Sequence, residues 1–254
     1  MKRILLAITI GITAVSFAGA EGWKVSGIIA ANYSETAVSD NWSGGEADAR
    51  TWMIKGEGSA EKDMEKTNWL NTAKMEFGKA SLGDDPEQEN ADLIDMDSVY
   101  SYKMNSCLNL YSAVTADSQF TELFDPAVIG ESAGIGWILV AKEKQNLKTR
   151  AGAALRQTVA SGADTENDTG AEWITNYDLK MNEHTKFVSE LKMFTAFEAS
   201  ADTRWDNSLY IKLGEYLTAQ AGYLLVNSGM PGTDLKDTIE TRLTFGLGIS
   251  YNLF

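Results

Sequence analysis

The sequence predicts an all-β protein, a closed antiparallel transmembrane β-barrel of about 12 strands. Three observations lead there. Apolar and polar residues alternate along most of the chain, long and brief connections follow one another in chain order, and no stretch after residue 20 approaches the roughly 20 apolar residues that a helical span needs. The alternation is clearest at the end. Leu243, Phe245, Leu247, Ile249, Tyr251 and Leu253 are separated by Thr244, Gly246, Gly248, Ser250 and Asn252. A strand so patterned has one greasy face and one polar or small face. Its apolar face is expected to meet lipid, and the other to enclose an interior.

The amino terminus comes first. Met1-Lys2-Arg3 is a short positive region, residues 4–17 form a mostly apolar run, and Ala18-Gly19-Ala20 fits a small-residue cleavage site. Residues 1–20 therefore read as a signal peptide, and residues 21–254 as one outer-membrane β-barrel domain. No cysteine follows the site, which argues against a lipid-anchored amino terminus.

Strands are expected near 22–33, 47–59, 66–79, 92–104, 107–119, 127–141, 146–159, 171–182, 185–197, 203–213, 216–227 and 239–253, with ends uncertain by about 2 to 4 residues. In the first, Trp23, Val25, Gly27, Ile29, Ala31 and Tyr33 oppose Lys24, Ser26, Ala30 and Asn32. Trp69, Ala73, Met75 and Phe77 oppose Thr72, Lys74 and Glu76; Ile94, Met96, Tyr100, Tyr102 and Met104 oppose Asp95, Asp97, Ser101 and Lys103. Further on, Leu147, Ala151, Ala153 and Leu155 oppose Lys148, Arg150 and Arg156, and Trp173, Tyr177, Leu179 and Met181 oppose Asn176, Asp178 and Lys180. Phe187, Leu191 and Met193 oppose Lys186, Glu190 and Lys192, while Trp205, Leu209, Ile211 and Leu213 oppose Asp206, Ser208 and Lys212. These charges do not recur every 3.6 residues, as a helix face would require.

Long connections are expected at 34–46, 80–91, 160–170 and 228–238, with shorter ones at 120–126 and 198–202. Brief turns fall between them at 60–65, 105–106, 142–145, 183–184 and 214–215. Outer-membrane barrels have such short periplasmic turns and longer outer loops, and an even strand number puts both termini on the periplasmic side. Aromatic residues gather towards strand ends, as interfacial girdles require. A soluble β-sandwich would also bury aromatics, but it does not account for the alternation of connections.

Composition bounds the function. The chain is 44% hydrophobic with a mean hydropathy of -0.22, which suits a barrel or a soluble protein equally. Removal of Lys2 and Arg3 takes the formal charge from -14 to -16, so nucleic acid is not an expected partner. The single cysteine, Cys107, excludes an intramolecular disulfide. It is expected to pack as a small residue at a strand end.

Several segments resemble an uncharacterised outer-membrane barrel family, a domain of unknown function. Asn41-Trp42-Ser43-Gly44-Gly45 resembles an Asn-Trp-x-x-Gly-Gly loop signature. Ala91-Asp92-Leu93-Ile94-Asp95-Met96, followed by Tyr100 and Tyr102-Lys103, resembles an acidic segment ahead of a tyrosine-rich strand. Gln119-Phe120 and Phe124-Asp125-Pro126-Ala127 match in order. The resemblance implies a fold and an outer-membrane location, but no reaction. The final Phe254 resembles the terminal residue that barrel-assembly machinery reads, although it lies on the opposite parity from Leu253 and its apolar neighbours. A bulge near Asn252 would reconcile the two.

The inner face is expected to carry Lys55, Glu57, Lys74, Glu76, Asp95, Asp97, Lys148, Arg150, Arg156, Asp178, Lys180, Glu190, Lys192, Asp206 and Lys212. Two readings stand side by side: a narrow polar pathway whose charges filter solutes, or charges that pair across strands and plug the lumen. The expected role is a non-enzymatic narrow pore or small-solute barrel. A structural or surface-interaction barrel is the alternative, and a lipid-modifying enzyme is third. Serine chemistry wants a general base, and the only histidine, His184, falls in a brief turn. No catalytic residue and no cofactor is expected.

Acidic loops suggest Ca²⁺ weakly, through Asp84, Asp85, Glu87, Glu89 and Asp92, or through Asp164, Glu166 and Asp168. Neither has the glycine-punctuated pattern of a dedicated calcium loop. In the loop motif, Gly44 and Gly45 permit a tight turn that would let Trp42 fold into the barrel mouth. Expected partners are outer-membrane lipid and lipopolysaccharide, the assembly machinery through the last strand, and a small solute.

Overall fold

Twelve strands follow the alternation, with their pleats in the phase the sequence predicts. The computed structural model describes residues 22–36, 49–83, 85–122, 125–197, 201–227 and 239–251. The strands are β1 (Trp23–Thr36), β2 (Ala49–Asp63), β3 (Thr67–Leu82), β4 (Gln88–Lys103), β5 (Leu108–Ser118) and β6 (Ala127–Lys142). They continue as β7 (Gln145–Val159), β8 (Glu166–Lys180), β9 (Thr185–Ala196), β10 (Ala201–Lys212), β11 (Leu217–Asn227) and β12 (Ile239–Tyr251). Each pairs antiparallel with its chain neighbours, and β1 pairs with β12 to close the ring. Closure leaves no free sheet edge, the condition for a β-structure to cross lipid. At 11 to 16 residues, strands β3 to β9 meet or exceed the roughly 9–11 that a tilted span needs.

Side-chain exposure divides the strands into two faces. On β12, Phe245 is 65% and Ile249 is 69% exposed, whereas Tyr210 on β10 is 1% exposed and points inward. Ile29, Ile54, Tyr100, Trp173 and Leu243 also stand on the outer face. Each such side chain stabilises by about 1.5–3 kcal/mol when removed from water, so a face made of them belongs against hydrocarbon. The outward indoles are hydrogen-bonded by small neighbours: Trp69 Nε1 donates to Ser98 Oγ at 3.0 Å and Trp205 Nε1 to Ser189 Oγ at 2.9 Å. An indole N–H in lipid would otherwise lack a partner. Trp23 packs on Trp69 with ring centroids 5.5 Å apart, at the rim formed by the brief turns.

Strand ends differ from the expected ones where charge read as loop. β8 begins at Glu166 and not 171, so Glu166 and Asp168 belong to a strand, with Asp168 opposite Arg156 of β7. β4 begins at Gln88 and not 92, and β2 runs to Asp63. Backbone pairing continues past the apolar belt into water, where polar side chains cost nothing. Polarity there marks the end of the lipid, not of the strand. Brief connections occupy 64–66, 104–107, 143–144, 181–184 and 213–216 at one rim. The opposite rim carries 37–48, 83–87, 119–126, 160–165, 197–200 and 228–238. Alternation therefore holds except at 197–200, which is as brief as its neighbours. Residues 1–20, the Asn41, Trp42, Gly44 and Gly45 motif, Asp84 and Phe254 lie outside the described residues.

Candidate functional site

The interior is the candidate site, and the register places its side chains. Lys55 of β2 stands opposite Glu76 of β3, and Glu57 opposite Lys74. Lys74 in turn faces Asp95 of β4, and Thr72 faces Asp97. On the far wall, Asn176 of β8 faces Glu190 of β9, which faces Asp206 of β10. The same pleat puts Lys148, Arg150, Arg156, Asp178, Lys192 and Lys212 inward. Lys180 shares that parity but is exposed at the turn rim, opposite Lys186.

At mid-height these charges meet across the lumen. Lys74 Nζ lies 2.6 Å from Glu190 Oε2 and 3.3 Å from Asp206 Oδ2, although β3 and β9 are on opposite sides of the ring. Lys192 Nζ lies 2.8 Å from Asp95 Oδ2. Arg150 joins Asp97 at 2.9 Å to Glu172 at 3.1 Å. Lys55 sits 2.7 Å from Glu57 and 3.3 Å from Glu76, and Arg242 of β12 also reaches Glu76. Tyr210 donates to Glu57. Lys55, Glu76, Asp95, Asp97, Arg150 and Asp206 are buried. Charges taken this far from water persist because each has a counter-charge within salt-bridge distance.

Sequence reasoning missed several members: Tyr111, Glu172, Tyr210, Arg204 and Arg242. Tyr111 of β5 lies along the wall, donating to Glu172 of β8 at 3.0 Å beneath the Arg150 guanidinium, which is 5.3 Å from its ring centroid. Gly152 of β7 makes this path possible, since a Cβ there would strike the Tyr111 hydroxyl. Parity alone marks all five as inward-facing, so the signal was present in the alternation.

Two hollows flank the charged belt. Towards the turns, a vestibule of about 560 Å³ is lined by Ser101, Asn109, Asn146, Lys148, Arg150 and Asn176 among others. Towards the loops, a smaller hollow of about 280 Å³ lies between Glu76, Arg204, Leu224 and Arg242.

Residues outside the lumen do other work. Asp92 accepts from the Phe120 and Thr121 amides and the Thr121 hydroxyl, tethering the β5–β6 connection. Ser161 N donates to Asp125 Oδ1 at 2.7 Å, and hydrogen bonding from Ser161 holds that carboxyl below its usual range. Asp85, Glu87, Glu89 and Asp164 are exposed, and among the described residues no group of three or more acids, histidines or cysteines is arranged to hold a metal. Cys107 is exposed in the β4–β5 turn and not packed at a strand end, because Asn105 Oδ1 accepts the Cys107 and Leu108 amides and turns the chain outward there. His184 stands in the exposed turn after β8, its amide donating to Asn182 Oδ1.

Residues 43–251 match the family model described as "Protein of unknown function, DUF481". The chain belongs to the DUF481 family. The match begins at Ser43, inside the segment 41–45, which has one residue and not two between Trp42 and Gly44, and it gives no support to an Asn-Trp-x-x-Gly-Gly family signature. No curated protein matches the DUF481 chain. Among solved structures, a NanC porin is similar at 10% identity and a TM-score of 0.48, covering 90% of this chain and all of its own. An outer membrane channel from Pseudomonas putida F1 is 12% identical with a TM-score of 0.46, over 89% of this chain and 95% of that one. The translocator domain of the autotransporter NalP from Neisseria meningitidis is 12% identical with a TM-score of 0.41, over 99% and 97%. Likeness at this level transfers neither a solute nor a binding site.

Proposed function

We propose that this DUF481 barrel resides in the outer membrane and passes small polar solutes through a narrow lumen whose constriction is the mid-height charge belt. The observation that carries the reading is the arrangement of two hollows, one towards each mouth, on either side of that belt and each with charged side chains on its lining. An apolar outer face supports the membrane location, and rings of charged side chains at a constriction are how pores select ions and solutes. The expected inner-face residues from Lys55 to Lys212, apart from Lys180 at the rim, then act as the filter. The brief turns face the periplasm and the longer connections the exterior. Lipid and lipopolysaccharide contact the outer face, and the last strand serves as the assembly signal. The role is non-enzymatic, and no cofactor takes part.

A second reading is favoured by one specific observation. Lys74 bridges to Glu190 and Asp206 from the opposite wall, a contact across the lumen that suits a structural barrel with a sealed interior. Planar-bilayer recording separates the two. Passage predicts stepwise current from the wild-type barrel and a larger step from the Lys74→Met/Glu190→Gln variant. Silence from both proteins, each verified as folded, would rule passage out. Silence from the wild type alone would favour the sealed barrel.

A further inference from the structure

The turn-side vestibule holds a cation and an acceptor that the protein itself leaves unused. Lys55, Lys74, Arg150 and Lys192 each have a carboxylate within salt-bridge distance. Lys148 does not: among the described residues no acid lies within 4.0 Å of its ammonium. Two residues away on the same face, Asn146 Oδ1 is buried and accepts no hydrogen bond among the described residues. Asn176 stands directly opposite Lys148 on β8. Asn109 completes the wall from β5, its amide lying over Gly136, where a Cβ would collide with it.

We propose that this vestibule is a binding site for a small hydroxy-carboxylate of the sugar-acid class, a reading that rests on the passage role and names its solute. Asn146 Oδ1 is covered by protein and has no donor, and a hydroxyl supplies one once the amide turns towards the hollow. A half-buried ammonium with no acid in salt-bridge distance takes an anion, which a carboxylate supplies. Two same-face residues on a strand are roughly 7 Å apart, a span that a six-carbon chain bridges. The vestibule volume of about 560 Å³ lies within the usual range for small-molecule sites. A single charge suits it better than two. Of the other cations on its lining, Arg150 is held by Asp97 and Glu172 and Lys103 by Asp63, and the acids Glu61, Asp63 and Glu143 on the same lining would repel a phosphate dianion most. Asn109 and Asn176 offer both donors and acceptors to the remaining hydroxyls.

Calorimetric titration of the detergent-solubilised barrel at low ionic strength tests this with three probes: gluconate, sorbitol and inorganic phosphate. Gluconate is expected to bind in roughly the millimolar range, with sorbitol about tenfold weaker, the equivalent of one charge-assisted hydrogen bond. Lys148→Met should lower gluconate affinity about tenfold and leave sorbitol unchanged, with Lys148→Arg retaining most of the binding. Asn146→Leu should weaken both polyols. Heat-modifiable migration confirms that each variant is folded. Absence of gluconate binding to the wild type overturns the site, as does phosphate binding as tight as gluconate. Bilayer recording on the same preparation separates this from the parent reading. Current without gluconate binding sinks the site and spares passage, whereas gluconate binding by a barrel that carries no current sinks passage and spares the site.

Discussion

At the scale of single residues, Lys74 is the pivot of the lumen. Its ammonium holds Glu190 and Asp206 together from the opposite wall, with its side chain 19% exposed. Replacing it leaves two carboxylates facing each other on adjacent strands, with Lys192, 3.9 Å from Glu190, as the remaining cation beside them. Lys74→Met is expected to destabilise the barrel by about 3 kcal/mol, the lower end for breaking a buried pair by removing one partner. Adding Glu190→Gln to that variant should recover part of the loss, since one orphaned charge disappears. Urea unfolding in phospholipid vesicles measures both, and a Lys74→Met loss below about 1 kcal/mol would mean the belt is solvated like a surface pair.

Strands set the next scale, and their two faces predict opposite responses to charge. Phe245 lies mid-strand in β12 on the outer face, opposite Ala221 of β11. Phe245→Arg is expected to cost about 2–4 kcal/mol, as a cation near the middle of the lipid belt does. Glu131 of β6 reverses the argument: it is an exposed carboxylate on the outer face, between Val114 and Leu155 of the neighbouring strands. Glu131→Leu should therefore stabilise, by about 1 kcal/mol. Equilibrium unfolding in vesicles of both variants checks the assignment of faces, and a neutral Phe245→Arg would contradict it. Strand existence and facing were legible in the sequence because a pleat has period two and one environment is oily. Strand ends were less so. Glu166, Asp168, Gln88 and Asp63 are polar yet paired, because a ladder needs only backbone groups and continues wherever the neighbouring strand does.

The whole molecule responds to its solvent. With side chains such as Ile29, Leu243, Leu247 and Ile249 more than half exposed, dilution from urea into plain buffer is expected to give aggregates. Dilution into phospholipid vesicles should give a protease-resistant barrel with heat-modifiable migration. A monodisperse, folded monomer in buffer without amphiphile would overturn the membrane reading. Closure of the ring is also what creates the site. An open sheet with the same pairings would keep Lys55 beside Glu76 but would never bring Lys74 to Glu190.

The amino-acid order by itself determined which residues pair with water-like and which with oil-like surroundings, because alternation is a local property carried by adjacent side chains. It therefore yielded the barrel and the number of its strands. Which inward charges meet was decided only in three dimensions. Arg150 finds Asp97 and Glu172, and Tyr111 reaches along the wall over Gly152, through strand stagger and curvature that no alternation encodes. Lys148 was indistinguishable from Lys192 in the pattern, and only the closed ring gives one a carboxylate and leaves the other facing an open hollow.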